Sequence, residues 1–338
     1  MYILGIACFY HDAAAALIKD GELVAAAMEE RFTRKKHDNS FPTHAIEFCL
    51  RQAGITGADL EYVVFYEKPL VKFERILLST LNTFPRSLNV WRDALTTWLK
   101  EKLWIKNIIQ REVGVRYDRV MFADHHMSHA ASAFFASPFR EAAVLTVDGV
   151  GEWTTTTLGV ARSTWEGDAP GGQNEINLFS EQRFPHSLGL LYSAFTAYLG
   201  FRVNNGEYKV MGMSPYGEPR YVDKVEKLFK QDGDGSFRMN MEYFSYHHST
   251  DATYNRRFVD LFGEARPAES DFFTMETNPE RAGETAAMAE NQRYADIAAS
   301  IQHVTEDALI RITNHLHAQT GMKKLVMAGG VALNTKAN

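Results

Sequence analysis

The chain has 338 residues, 36 of them Lys or Arg against 42 Asp or Glu, giving a formal net charge of −6. With 45% hydrophobic and 23% charged residues it has ordinary globular composition, which excludes a disordered or collagen-like chain and leaves room for two sizeable cores. A pI near 6.1 with mixed signs offers no footprint for nucleic acid or an anionic membrane, and no apolar run is long enough to span a bilayer.

Two cysteines, Cys8 and Cys49, are too few for a disulfide framework and fit a reducing cytoplasm. The N-terminus lacks a basic n-region, and Asp12 interrupts the first apolar stretch, so no signal peptide is read.

The apolar run at 2–8 predicts a buried strand. Runs at 14–19 and 22–28, joined by Asp20-Gly21, predict a hairpin. Pro42-Thr43 opens a helix through Gln52, stopped by Gly54, and 61–66 reads as a fourth strand. The stretch 70–112 is mostly helical, with Trp91, Leu95, Trp98 and Leu99 forming a core-facing stripe. A strand at 119–123 precedes a helix to about 136, and 142–148 and 153–161 are strands around Asp148-Gly149-Val150-Gly151. This echo of the opening suggests two related halves, 1–140 and 141–338, the second with an irregular insertion at about 231–290. A helix over 293–319 turns Ile297, Ile301, Val304, Ala308 and Ile312 to one side, and strand 325–328 leads through Gly329-Gly330 into a helix at 332–338. The chain stops there with a sheet edge uncovered, which suggests the N-terminal part of a longer protein and is compatible with a homo-oligomer.

His125 and His129 are i and i+4 at the start of a helix, so both imidazoles share one face. Such a pair is often no more than two histidines on the surface or in a helix's first turn, and His126 points elsewhere. Asp148 ends a core strand, where α/β sheets place ligands and where an aspartate needs a positive partner. Two histidines and one carboxylate suit Fe(II), with zinc or manganese as alternatives.

Gly149 and Gly151, the glycine-flanked stretch from Asn204 through Gly206 and Lys209 to Gly212, and Gly329-Gly330 before a helix are three loops able to approach an anion or nucleotide. Each is weak alone; together they fit a nucleotide cleft, although no Walker or dinucleotide glycine pattern occurs. The run from Glu29 to His37 reads as a solvated basic face or as a rim that binds phosphate or carboxylate. His11 beside Asp12 reads as a structural pair or as a general base.

The order FYHDAAAAL, EERFTRKKH, HHMSHAASAFF, VDGVGEW, FPHSLGLLYSAFTAYLGF, NNGEYKVMGMSPYGEP and AGGVALN resembles the N-terminal domain of the O-carbamoyltransferases. The resemblance implies an α/β, Kae1-like fold of the actin/Hsp70/sugar-kinase superfamily, built from two βββαβα-type halves. It implies transfer of a carbamoyl group from carbamoyl-adenylate, made from carbamoyl phosphate and ATP by a C-terminal YrdC-like domain, to a hydroxyl of a small-molecule or sugar acceptor. By motif it assigns His125, His129 and Asp148 to an iron-type metal, and Lys36 to the adenylate. His11, with Asp12 beside it, is placed at the acceptor hydroxyl, and Gly206, Lys209, Gly329, Gly330 and Asn334 fall in nucleotide loops. The family's further metal-ligating aspartate and its YrdC-like domain would follow Asn338. An ATP-dependent kinase or ATPase of the same superfamily is the alternative, but Cys8-Phe9-Tyr10-His11 stands where its DxG[TS] loop would be. A non-catalytic metal- and nucleotide-binding module is a third reading.

Overall fold

The computed structural model describes residues 1–100, 102–164 and 172–338, with residues 95, 97, 99 and 100 described by backbone alone. The chain forms two compact units, Met1–Asn82 with Leu88–Ser128, and Thr83–Ser87 with His129–Asn338.

In the first unit β1 (Tyr2–Ala7), β2 (Ala14–Lys19) and β3 (Glu22–Met28) make an antiparallel meander, with Asp20-Gly21 at the tight turn. Helix α1 (Thr43–Ala53) returns the chain to β4 (Tyr62–Phe65), which runs parallel to β1. Then α2 (Pro69–Asn82), α3 (Leu88–Lys100) and α4 (Ile105–Val113) lead to β5 (Val120–Phe122), parallel to β4. The sheet order is β3-β2-β1-β4-β5. Its core joins Leu4, Ile6 and Leu17 of the meander to Ile46, Cys49, Ile105 and Ile109 of the helices. Of the stripe expected over 91–99, Trp98 is buried and Trp91 half-buried; the side chains of Leu95 and Leu99 lie outside the described residues.

Helix α5 (His125–Phe135) follows β5 and contains the boundary between the units, after Ser128. In the second unit β6 (Glu141–Val147), β7 (Thr154–Ser163) and β8 (Asn174–Arg183) form another antiparallel meander. Helices α6 (Leu188–Tyr198) and α7 (Glu207–Met213), the hairpin β9 (Phe229–Gln231) and β10 (Phe237–Met239), and α8 (Arg256–Phe262) come next. The long α9 (Thr285–Thr320) delivers the chain to β11 (Leu325–Ala328), parallel to β6, giving the order β11-β6-β7-β8. Both sheets therefore begin as a meander and place the next strand parallel to the first, an α/β arrangement repeated in the two units. Ile297, Ile301, Val304, Ala308 and Ile312 are all buried, as their spacing predicts.

Four expectations need correction. Residues 204–212 are not simply a loop: Glu207 accepts from the amides of Asn204 and Gly206 at 2.9 and 3.1 Å and starts α7. The stretch 231–290 holds a hairpin and a helix, and α9 begins at Thr285 rather than near 293. After β11 there is a single 3-10 turn, Gly330–Leu333, in place of a helix over 332–338. Strand β8 had no strong signal, because Phe179 on it is exposed and Ile176 and Leu178 are only half-buried. Among the described residues no helix is long and apolar enough to cross a membrane.

Candidate metal centre

Helix α5 is oriented by its apolar side. Ala130 and Phe134 pack with Ala142 and Val144 of β6 and Val326 of β11, while Ser128 Oγ donates to the Tyr66 carbonyl at 2.9 Å. The helix is continuous through the unit boundary, so His125 and His129 stay one turn apart on one face, the first buried and the second half-buried. His126 is buried, its ring 5.7 Å from that of His125.

Asp148 leaves the end of β6 toward His129, with Oδ2 3.7 Å from His129 Nε2. Its other oxygen, Oδ1, accepts from the Gly330 amide at 2.9 Å. That grip depends on Gly329, which has φ 101° and ψ 168° and so lies so close to β6 that a Cβ would stand 2.3 Å from the Val147 carbonyl oxygen. Below the carboxylate, Ser187 Oγ donates to the Gly149 carbonyl at 2.6 Å and caps α6 by accepting from the Leu190 amide at 3.0 Å. A Cβ at Gly189 would meet the Asp148 carbonyl oxygen at 2.6 Å, so only glycine lets α6 approach this turn. In the second unit His129 and Asp148 thus face each other, and His125 precedes His129 by one turn of the continuous helix α5. Two imidazoles and a carboxylate gathered in this way fit a divalent cation of the Fe(II), Zn(II) or Mn(II) kind.

Behind His125 stands Glu67, a residue the motifs did not single out. Its Oε2 is 3.7 Å from His125 Nδ1 and 2.7 Å from Lys72 Nζ, and both members of this ion pair are buried. Burial alone would raise the Glu67 pKa. The nearby His125 ring and the Lys72 ammonium outweigh it, so the carboxyl lies below its usual range. The sequence signal was present: like Asp148, Glu67 is an acid just past the C-terminal end of a core strand.

In the β1–β2 connection, the Tyr10 and His11 rings lie 3.7 Å apart between centroids. Asp12 Oδ1 pairs with His37 Nδ1 at 3.1 Å, and Glu30 Oε2 accepts from the His37 amide at 3.0 Å. Asp12, Glu30 and His37 form a second group of potential ligands, with donor atoms within 4.8 Å. Lys36 is exposed. Glu29, read as part of a charged run, is instead buried and caps α1, accepting from the His44 and Ala45 amides at 3.2 and 2.9 Å.

The remaining candidate residues are distributed through the second unit. Gly149 and Gly151 shape the turn after Asp148, and Gly206 opens α7. Lys209 is exposed, with Nζ 5.6 Å from the Phe201 ring. Asn334 exchanges two hydrogen bonds with Gln302, at 3.0 and 2.9 Å, and Tyr192 OH donates to the same Gln302 at 2.9 Å. The anion site expected at a helix start after Gly329-Gly330 loses its basis, since there is no helix and the Gly330 amide serves Asp148.

A family model described as Carbamoyltransferase N-terminus matches residues 2–338. Uncharacterized protein sll1178 of Synechocystis is 50% identical over all of this chain and 52% of its own length. Nodulation protein NolNO of Sinorhizobium fredii is 30% identical over 98% of this chain and 42% of its own. Nodulation protein NolO of Bradyrhizobium diazoefficiens is 30% identical over 64% of this chain and 32% of its own. The chain spans about half the length, or less, of these curated relatives.

Proposed function

Because this chain belongs to the family of carbamoyltransferase N-termini, we propose that it forms the transfer domain of an O-carbamoyltransferase. In this reading carbamoyl phosphate and ATP are first joined as carbamoyl-adenylate by a YrdC-like domain outside these residues. The carbamoyl group then passes to a hydroxyl of a small-molecule or sugar acceptor. The observation that carries it is the pairing of Asp148 with His129 at 3.7 Å, with Asp148 fixed by the Gly330 amide and His125 one helical turn before His129.

His125, His129 and Asp148 would hold a divalent cation, Fe(II) by the chemistry of the set. When bound, that cation supplies positive charge for oxygens that become more negative during transfer. His11 takes the proton from the acceptor hydroxyl as its oxygen bonds to the carbamoyl carbon, and the C–O bond to phosphate breaks with its electron pair leaving on AMP. Asp12 keeps His37 beside that loop, and Lys36 and Lys209 offer exposed positive charge for phosphate oxygens. The reaction belongs in the cytoplasm, where ATP is available and both buried cysteines stay reduced.

The test incubates the whole protein with carbamoyl phosphate, ATP and a panel of polyols and amino sugars. Pyrophosphate release together with a carbamoyl mass gain on one acceptor is the expected result. Phosphate transfer or ATP hydrolysis independent of carbamoyl phosphate would assign the protein to kinase or ATPase chemistry instead.

A further inference from the structure

We propose that the buried Glu67–Lys72 ion pair is a positioning unit that orients His125 for a cation and, through Tyr10, braces the loop carrying His11. This inference rests on the metal reading above. Both charges are almost fully withdrawn from water, with Nζ and Oε2 2.7 Å apart. A buried pair of this kind returns little net stability, because the attraction roughly repays the solvation that was lost. Its geometry points to another use.

Oε2 of Glu67 is shared between two partners, Lys72 Nζ at 2.7 Å and His125 Nδ1 at 3.7 Å. With Nδ1 turned to a carboxylate, the ring presents Nε2 to the ligand group and its basicity rises, the arrangement in which an acid behind a ligating histidine sets tautomer and orientation. Lys72 extends the chain of contacts. Its ammonium lies 4.6 Å from the Tyr10 ring centroid, and the Tyr10 and His11 rings are 3.7 Å apart. One ammonium therefore ties an acid behind the metal ligand to the aromatic neighbour of His11, all within the first unit.

The test uses the whole protein with Co(II) as the probe, read by its visible absorption during titration, beside thermal melts of each variant. E67M/K72M removes both charges at similar volume and so avoids a lone buried charge; it should keep near wild-type melting and lose ten- to hundredfold in Co(II) affinity. E67Q/K72M restores a neutral acceptor for His125 Nδ1 and should recover part of that affinity. A purely structural pair predicts something else: both folded double variants bind Co(II) like wild type. That result overturns the proposal, as does the unfolding of both doubles, which would make the pair a stability element. A wild-type protein that takes up no Co(II) removes the metal reading itself, an outcome distinct from equal binding by wild type and variants.

Discussion

Gly329→Ala tests how the carboxylate of the site is held. The new methyl would stand 2.3 Å from the Val147 carbonyl oxygen and 2.7 Å from its carbon, so the turn after β11 must move. The backbone at φ 101° and ψ 168° lies in a region open almost only to glycine, and forcing alanine there costs about 1–3 kcal/mol. Relieving the overlap against rigid backbone adds about 1–3 kcal/mol. For a unit of roughly two hundred residues, about 2–4 °C is lost per kcal/mol, so a combined cost of about 2–6 kcal/mol should lower the melting temperature by about 4–24 °C.

The movement also draws the Gly330 amide away from Asp148 Oδ1, removing a charge-assisted bond worth about 1.5–3 kcal/mol. If that bond orients the carboxylate for a cation, Co(II) affinity falls by about ten- to a hundredfold along with stability. Gly212→Ala is the control. It sits inside α7 with nothing within 4 Å of the added methyl, and should stabilise by about 0.5–1 kcal/mol without altering Co(II) binding. Differential scanning calorimetry and Co(II) titration separate the outcomes. A Gly329→Ala protein that melts with wild type refutes the steric argument; one that melts early yet binds Co(II) normally refutes the anchoring role of Gly330.

Asp148→Asn keeps an acceptor for the Gly330 amide but loses the charge; Co(II) affinity should drop about tenfold or more while metal-free melting stays within about 1 °C. Unchanged affinity by titration would remove Asp148 from the ligand set. Glu29→Gln weakens the cap of α1, at about 1–3 kcal/mol in urea unfolding. Glu29 also holds His44 above its usual pKa, through their hydrogen bond first and charge second. The paired proton contributes fully below about pH 6.5 and its contribution is lost as pH rises through the raised value. The gap between wild type and Glu29→Gln should therefore narrow from pH 6 to 9, and a constant gap would contradict the assignment. His247 behaves oppositely. Burial foremost, then His248 and Arg86, lower its pKa to about 4, so it is neutral in the fold. Stability is complete above about pH 6.5 and declines toward pH 4, by about 1–2 kcal/mol once the half-exposed ring is allowed for. His247→Gln should flatten that part of the acid profile, and an equally steep profile in the variant counts against it.

Much of the fold was legible because both meanders are written in local apolar runs. Strands at 14–19 and 22–28 match β2 and β3, and Asp20-Gly21 makes the turn between them. The helical spacing of Ile297 through Ile312 survives intact in α9. The echo between VDGVG and the opening strands becomes a shared sheet order, with β11 beside β6 as β4 is beside β1. Misreadings gathered where one local feature answers another nearby. Glu207 turns a glycine-flanked loop into a helix start, and the Gly330 amide is drawn to Asp148 instead of opening a helix.

The histidine pair and Asp148 could be read as a set because helix periodicity and strand ends are local rules. Their supports could not, since each lies far along the chain. Gly330 reaches Asp148 across 182 positions, and Glu67 reaches His125 from the end of another strand. In both cases an acid at the carboxyl end of a parallel strand meets a group delivered by a neighbouring element, which is where such sheets gather their chemistry. The two strands are not counterparts in the repeat, since β6 corresponds to β1 and β4 to β11, yet an acid follows each: Glu67 near His125 in the first unit and Asp148 near His129 in the second. A charged residue one or two places past a core strand is thus the sequence feature that carries furthest here, and applying it to β4 as well as β6 finds Glu67.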